Sequence, residues 1–128
     1  MKQRSPDECI ARILRDIDKR RNISPMDYAD RNAVRRYNAA MDRILENACY
    51  LWNHYPDQRD LFIDLVRSSD CFVASHCAHI LYGIPDATVE HKRLALTIVK
   101  ELIENPNLPE LSRVGMSMNI KRWEEELE

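Results

Sequence analysis

Four side chains of the types that ligate zinc lie close together in the middle of the sequence: Cys71, His76, Cys77 and His79. Zinc sites use cysteine and histidine at such short spacings. On one helix, however, positions 71 and 79 lie about two turns apart, and positions 76 and 77 differ by about 100° in direction. Because the four side chains cannot converge on one ion, we expect no metal site, with Cys77 in the core and His76 or His79 at the surface or in a groove.

A cysteine nucleophile needs a base beside it, and Cys49 with His54 is the other pair to consider. These residues are five positions apart on a helix, so their side chains point in different directions. The chain has only two glycines, Gly83 and Gly115, which excludes a glycine-rich phosphate loop, and no serine lies in a nucleophile-elbow context. We therefore predict that the chain is not an enzyme and uses no metal or cofactor.

Charge is divided unevenly along the sequence. Residues 1–54 carry 11 Lys and Arg against 8 Asp and Glu, whereas residues 55–128 carry 8 against 13. In the basic part, Arg31 and Arg35 lie one helical turn apart with Arg36 adjacent, an arrangement that suits phosphate or an acidic partner. The alternative is a solvated helix face whose arginines pair with nearby carboxylates, namely Asp27, Asp42 and Glu46.

The acidic part contains a ridge of three carboxylates, Asp57, Asp60 and Asp64, which fall within an arc of about 60° on the predicted third helix, away from its apolar face. The helix dipole accounts for Asp57 and Asp60 in a first turn, because negative charge is favoured there. Asp64 lies beyond that turn. We therefore predict that this ridge faces a binding partner.

Composition predicts a single globular domain over residues 1–128. Hydrophobic residues make up 45% and charged residues 31%, values that are typical of globular proteins and not of disordered ones. No apolar run is long enough to cross a membrane, and no signal sequence is evident, which predicts a soluble cytoplasmic protein. Of the four cysteines, Cys49, Cys71 and Cys77 lie in apolar helical patterns, so we expect free thiols rather than disulfides.

The period of the apolar residues predicts an all-α fold of about six helices in antiparallel pairs. The first helix begins at Ser5-Pro6-Asp7-Glu8, a capping box, and ends at Lys19-Arg20-Arg21. The second begins either at Ser24-Pro25 or at Asp30 and ends at Pro56. Asp57 is expected to cap the third.

Three further helices complete the predicted chain. The third reaches about Arg67, and the fourth follows the Ser68-Ser69-Asp70 break and ends near Tyr82, with Gly83 as its stop signal. The fifth begins near Thr88 and ends at Asn105-Pro106. The sixth has one apolar face, formed by Met116, Ile120, Trp123 and Leu127.

The apolar residues around the break between the third and fourth helices resemble the core of a HEAT repeat. They are Leu65-Val66 before the break, and Val73, Cys77-Ala78 and Ile80-Leu81 after it. The hairpin that they define covers about residues 57–82. Ala74 departs from the pattern, which has a basic residue there, and the repeat is not clearly restated elsewhere in the chain.

Over about residues 30–127 the chain resembles a family of small bacterial HEAT-like proteins of unknown function, including its ending with Gly115, Met118 and Trp123. This resemblance implies a short α-solenoid wound as a right-handed superhelix, and it implies no activity. It therefore adds to the predicted architecture and leaves the function to the surface residues.

These observations favour a protein–protein interaction module that acts without catalysis. One specific form is an immunity-type inhibitor, because small HEAT-like bacterial domains resemble modules that neutralise toxins. Asp57, Asp60 and Asp64 would then face a basic toxin domain and speed the encounter. The alternative is a regulatory protein that binds nucleic acid through Arg31, Arg35 and Arg36.

Overall fold

The computed structural model describes residues 3–23 and 30–128, and over these ranges the chain is helical without any β-strand. This confirms the predicted all-α class with six helices. The helices are α1 (Pro6–Arg21), α2 (Arg31–His54), α3 (Asp60–Val66), α4 (Cys71–Gly83), α5 (Val89–Leu102) and α6 (Glu110–Glu126). None of the helices in the described ranges has both the length and the apolar character needed to span a bilayer.

Side-chain caps fix the starts of most helices. The Ser5 hydroxyl accepts a hydrogen bond from the backbone N–H of Glu8 at 3.1 Å, which confirms the predicted start of α1. Asp30 caps α2 in the same way, so the shorter of the two predicted starts is the one observed. The other start, at Ser24-Pro25, lies outside the described residues. In contrast, α6 follows Pro109 and has no side-chain cap.

The predicted start of the third helix is wrong, and the fifth helix ends at Leu102 rather than at the predicted Asn105-Pro106. The chain forms a 3₁₀ turn over Pro56–Gln58, and α3 begins only at Asp60, so Asp57 is not its cap. The reason is the i to i+3 hydrogen bond from Gln58 N–H to the Tyr55 carbonyl at 2.9 Å, which tightens the chain after the proline. The predicted end of the fourth helix near Tyr82 is confirmed, but Gly83 is its last residue and has no positive φ.

The end of α4 comes instead from the residue after the glycine. Ile84 has an extended backbone, with φ −66° and ψ 125°, and it precedes Pro85. A proline disfavours the helical conformation of the residue before it, because its ring collides with that residue's backbone. The chain therefore leaves the helix at Ile84 through the effect of proline, and the glycine is not needed as a left-handed cap.

The described chain divides into two compact units, up to Phe62 and from Ile63 onward. In the first unit, α1 and α2 form an antiparallel hairpin, because Arg4 lies against Glu46 while Arg20 lies against Met41. The fully buried apolar side chains of these two helices are Cys9, Ile13, Ile17, Ala40, Ile44, Ala48, Leu51 and Trp52. The prediction of a single domain stays a prediction.

An ion pair between a buried aspartate and a half-buried arginine joins the two helices of this hairpin. Asp16 is completely buried, and its Oδ1 accepts a hydrogen bond from Nε of Arg43 at 3.0 Å. The same oxygen lies 3.0 Å from Nη2 of Arg43. The Nζ of Lys19 is 3.8 Å from the same oxygen. The other oxygen, Oδ2, has no hydrogen-bond partner in the described part of the chain, so the carboxylate depends on Arg43 for most of its compensation.

In the second unit, α4 packs along α5, and α5 packs along α6. The buried side chains come from all three helices and include Val73, Cys77, Leu81, Ala95, Val99, Met116 and Trp123. The predicted interior of the HEAT-like hairpin, with Val73, Cys77, Ile80 and Leu81, is thus buried as expected. The solenoid arrangement and the HEAT-like identity stay predictions.

Loss of Arg43 should destabilise the protein far more than loss of an arginine in a surface ion pair. Arg43→Ala leaves the buried Asp16 carboxylate without its main partner, and we expect the free energy of unfolding to fall by about 3 kcal/mol. Arg12, which lies 3.9 Å from Glu8 on the surface, is the matched control, and Arg12→Ala should cost at most about 0.5 kcal/mol. Urea denaturation followed by circular dichroism measures both, and equal losses would contradict the assignment.

Candidate functional site

The cysteines and histidines of α4 are each held by their own helix. Nδ1 of His76 lies 2.9 Å from the Phe72 carbonyl, and Nδ1 of His79 lies 2.7 Å from the Ser75 carbonyl. Since a carbonyl oxygen only accepts, the two Nδ1 atoms carry the proton and donate it. Cys77 is buried in the core. Among the described residues, no group of three His, Cys, Asp or Glu side chains is arranged to hold a metal ion.

The thiols form no disulfide, and those of Cys9, Cys49 and Cys77 are poorly suited to nucleophilic attack. All four cysteines are unpaired with one another. Burial raises the pKa of Cys77 to about 12, and burial also raises the pKa of Cys9 and of Cys49. A raised pKa reduces the fraction of reactive thiolate at neutral pH. In the pair of Cys49 with His54, which helical spacing argued against, the histidine Nδ1 donates to the Tyr50 carbonyl at 3.0 Å.

The three predicted basic residues all lie in the first half of α2. Arg31, Arg35 and Arg36 are exposed, and none forms an ion pair with another described residue. Arg31 and Arg35 share the helix face opposite the buried residues, whereas Arg36 is turned away from Arg35 by about 100°. Of the carboxylates expected to pair with them, Glu46 instead binds Arg4 at 2.8 Å, and Asp27 lies outside the described residues.

The three predicted acidic residues are also exposed, but they do not share one helix. Asp57 lies in the 3₁₀ turn, while Asp60 and Asp64 lie one turn apart on α3. The predicted arc therefore applies only to Asp60 and Asp64. Neither carboxylate forms an ion pair with another described residue. These two remain a charged surface that a basic partner would favour.

A surface that the sequence analysis missed lies on α6. Leu111, Val114 and Met118 are 78%, 53% and 70% exposed, and they form what we call the α6 apolar face. Their spacing of i, i+3 and i+7 places them within an arc of about 60° on the helix. The predicted inner face lies about 180° away, and its Met116 and Trp123 are each 2% exposed. Thus α6 carries apolar residues on two opposite faces.

Aromatic contacts hold the inner face of α6 in place. The Trp123 ring stacks on Tyr82 with centroids 4.0 Å apart, and His79 lies 5.3 Å from the same ring. The Tyr82 hydroxyl donates to Glu126 at 2.6 Å, and burial together with this hydrogen bond raises the pKa of Tyr82 to about 12. These contacts fix the rotation of α6 about its axis, and hence which residues face solvent.

The second unit also contains a cleft of about 410 Å³ beside α5. Val66, Leu94 and Ile98 contribute aliphatic side chains to its lining, and Arg67 and Glu101 contribute charged ones. The two charged side chains are exposed. This composition, an aliphatic lining with charged residues beside it, suits an apolar side chain of a protein partner.

Comparison of the chain with models of protein families, with curated proteins and with solved structures finds no match. Function therefore has to be inferred from the surfaces of the chain itself. Among the large hydrophobic side chains that the structure describes as exposed, Leu111, Val114 and Met118 share one helix face, whereas Leu45 and Val89 lie on other helices.

The stability of the protein should fall as the pH is lowered through the range in which histidine titrates. Burial lowers the pKa of His79 in the folded state, so below about pH 6.5 the unfolded state binds more protons than the folded state. The neutral form thus stabilises the fold above that pH, and this stabilisation is lost as the pH falls. Urea denaturation between about pH 7 and pH 5.5 measures the effect.

His79→Phe keeps an aromatic ring against Trp123 and removes the titrating group, so it should reduce the loss of stability over this pH range. His54→Phe is the control, because His54 is exposed and lies on α2. That variant should retain the pH dependence of the original chain. Identical pH dependence in the original chain and in His79→Phe would contradict the role given to His79.

Proposed function

We propose that this chain is a non-catalytic protein-binding module and that the α6 apolar face is its contact surface. The observation that carries the proposal is the exposure of Leu111, Val114 and Met118 on one side of a helix whose other side is buried. Adjacent large apolar side chains are seldom left in water on a monomeric protein without a binding role. A partner that covers these three side chains would remove them from water.

The chemistry around this face is that of a protein interface. Burying any one of the three side chains completely would contribute about 1.5–3 kcal/mol to the free energy of binding. A residue with a contribution of this size is a hot spot of a protein interface. Glu110 and Lys121 lie at its two ends and are exposed. An apolar centre with charged residues at the rim is the usual composition of such contacts.

The groups that catalysis would need support the same proposal. Burial raises the pKa of the thiols of Cys9, Cys49 and Cys77, which reduces the fraction of nucleophilic thiolate at neutral pH. An immunity-type inhibitor of a basic toxin is a specific form of the module. Asp60 and Asp64, which are exposed and form no ion pair with the described residues, support that form because they would attract a basic surface.

Polar substitution of the α6 apolar face should abolish partner binding without unfolding the chain. Two tagged baits are compared in an extract of the source cells: the original chain and the double variant Leu111→Gln, Met118→Gln. The proteins that each bait retains are identified by mass spectrometry, and a candidate partner is then purified. Calorimetry with a purified partner should then show affinity reduced at least about tenfold by the double variant.

Val89→Gln is the matched control, because Val89 is 55% exposed and lies on α5, outside the α6 apolar face. That variant should bind as the original chain does. If no retained protein distinguishes the double variant from the control, the α6 apolar face does not bind another protein of the cell. Circular dichroism checks that both variants keep the helix content of the original chain.

A second function, binding of nucleic acid, is favoured by one observation. Arg31 and Arg35 are exposed on the same face of α2, with Arg36 nearby, and the three make no ion pair with the described residues. Arginines that are not neutralised by carboxylates bind phosphate more strongly, because no internal contact has to be broken. The chain as a whole has a net charge of −2, which ranks this function below protein binding.

Filter binding to double-stranded DNA and to single-stranded RNA over a salt series tests the second function. Affinity should fall steeply as salt rises, and Arg31→Gln with Arg35→Gln should reduce the slope of log affinity against log salt by about 2. Arg12→Gln on α1 is the control and should leave the slope unchanged. This function would be excluded if the original chain retained no nucleic acid on the filter at low salt. It would also be excluded if the original chain, the double variant and the Arg12→Gln control retained equal amounts.

A further inference from the structure

We infer that the partner of the α6 apolar face is a second copy of this chain, with the two α6 helices antiparallel. The inference rests on the proposed function, because it names the partner of the same surface. Its evidence is the arrangement of residues along α6, which is complementary to itself when the helix direction is reversed.

The apolar residues are arranged symmetrically along the helix. Leu111 and Met118 lie at the two ends of the face, which is about 10 Å long, and Val114 lies near its middle. Reversing one helix sets Leu111 of one copy opposite Met118 of the second copy, and Val114 near its own counterpart. Every apolar side chain of the face then meets an apolar side chain.

The charges at the ends of the face favour the same orientation. Glu110 lies at the N-terminal end and Lys121 beyond the C-terminal end, both exposed and without an ion pair to another described residue. Both are turned about 60° from the middle of the face to the same side. In an antiparallel pair, the flank of one helix that carries these charges lies beside the same flank of the second copy, and the helix direction is reversed. Each glutamate therefore comes opposite a lysine.

The axial positions of these charges are compatible with the apolar pairing. When Leu111 of one copy faces Met118 of the second copy, Glu110 of the first copy and Lys121 of the second are offset along the helix axis by about 3 Å. Side chains of this length bridge such a distance easily. In a parallel pair, the flank of one helix that carries these two charges lies on the opposite side of the interface from the same flank of the second copy, so no glutamate comes opposite a lysine. The charges therefore select the antiparallel arrangement.

Gly115 provides a further, independent observation. It lies in the interior of α6 on the exposed side, next to the apolar face, and a Cβ atom added there would meet nothing within 4 Å. The described fold thus has room for a larger residue, although glycine weakens a helix interior. A second helix backbone that approaches closely at this position would explain the glycine, because glycine leaves the helix surface open.

Sedimentation equilibrium over a concentration series tests the inference with the full chain. Three side chains per copy cover less area than stable dimers bury, so we expect a reversible dimer that is populated at about 100 µM and above. Leu111→Gln with Met118→Gln should raise the dimer dissociation constant at least about tenfold. Val89→Gln should leave it unchanged.

A charge exchange tests the antiparallel orientation. Glu110→Lys alone and Lys121→Glu alone should each raise the dissociation constant about threefold to tenfold, because each sets like charges opposite one another twice per dimer. The double variant, Glu110→Lys with Lys121→Glu, should restore the original value. Equal dissociation constants in all four proteins, or a double variant that is weaker than both single variants, would overturn this arrangement.

The outcome also separates this inference from the proposed function. A chain that remains monomeric to about 1 mM, or a dimer that the Leu111 and Met118 substitutions do not weaken, overturns the inference. If the same substitutions still prevent capture of a different protein from the cell extract, the α6 apolar face remains a binding surface. If the Leu111 and Met118 substitutions affect neither self-association nor capture, both the inference of a dimer and the proposed function are wrong.

Discussion

The packing of Trp123 is the interaction on which the candidate binding surface depends. A helix that packs on one side has its opposite side in solvent, so whatever fixes its rotation also decides which residues are exposed. Here Trp123 stacks on Tyr82 and contacts His79, and Glu126 accepts the Tyr82 hydrogen bond one turn later. With that rotation, Leu111 and Met118 cannot turn inward without withdrawing the tryptophan from the core.

Local chemistry made much of the fold predictable from the sequence. Caps such as Ser5 and Asp30 satisfy backbone N–H groups within a few residues, so their effect is visible in a short stretch of sequence. Turn geometry was less predictable, as Asp57 shows: whether a helix starts before or after a proline depends on one hydrogen bond, here from Gln58 to Tyr55. Pairings between distant residues, such as Asp16 with Arg43, depend on packing that local patterns do not encode.

The candidate site was predictable only in part, and the reason lies in the pattern of α6. The search for one apolar face correctly selected Met116 and Trp123, which are buried, but it passed over the second set on the opposite side. That second set repeats with the same helical period, and a search for two faces would have found it. In α4, by contrast, helical spacing was sufficient to argue against a metal site, because the angles between neighbouring side chains are fixed by the backbone.

The uncapped start of α6 has a consequence for how this surface binds. No side-chain cap bonds the first backbone N–H groups after Pro109, so we expect the first turn, which carries Leu111, to open more readily than capped turns do. Its amide protons are therefore expected to exchange with solvent faster than those around Trp123. A partner that covers Leu111 must also order this turn, and the entropy cost of that ordering lowers the affinity. In return, the surface selects partners that stabilise the helical form of the turn.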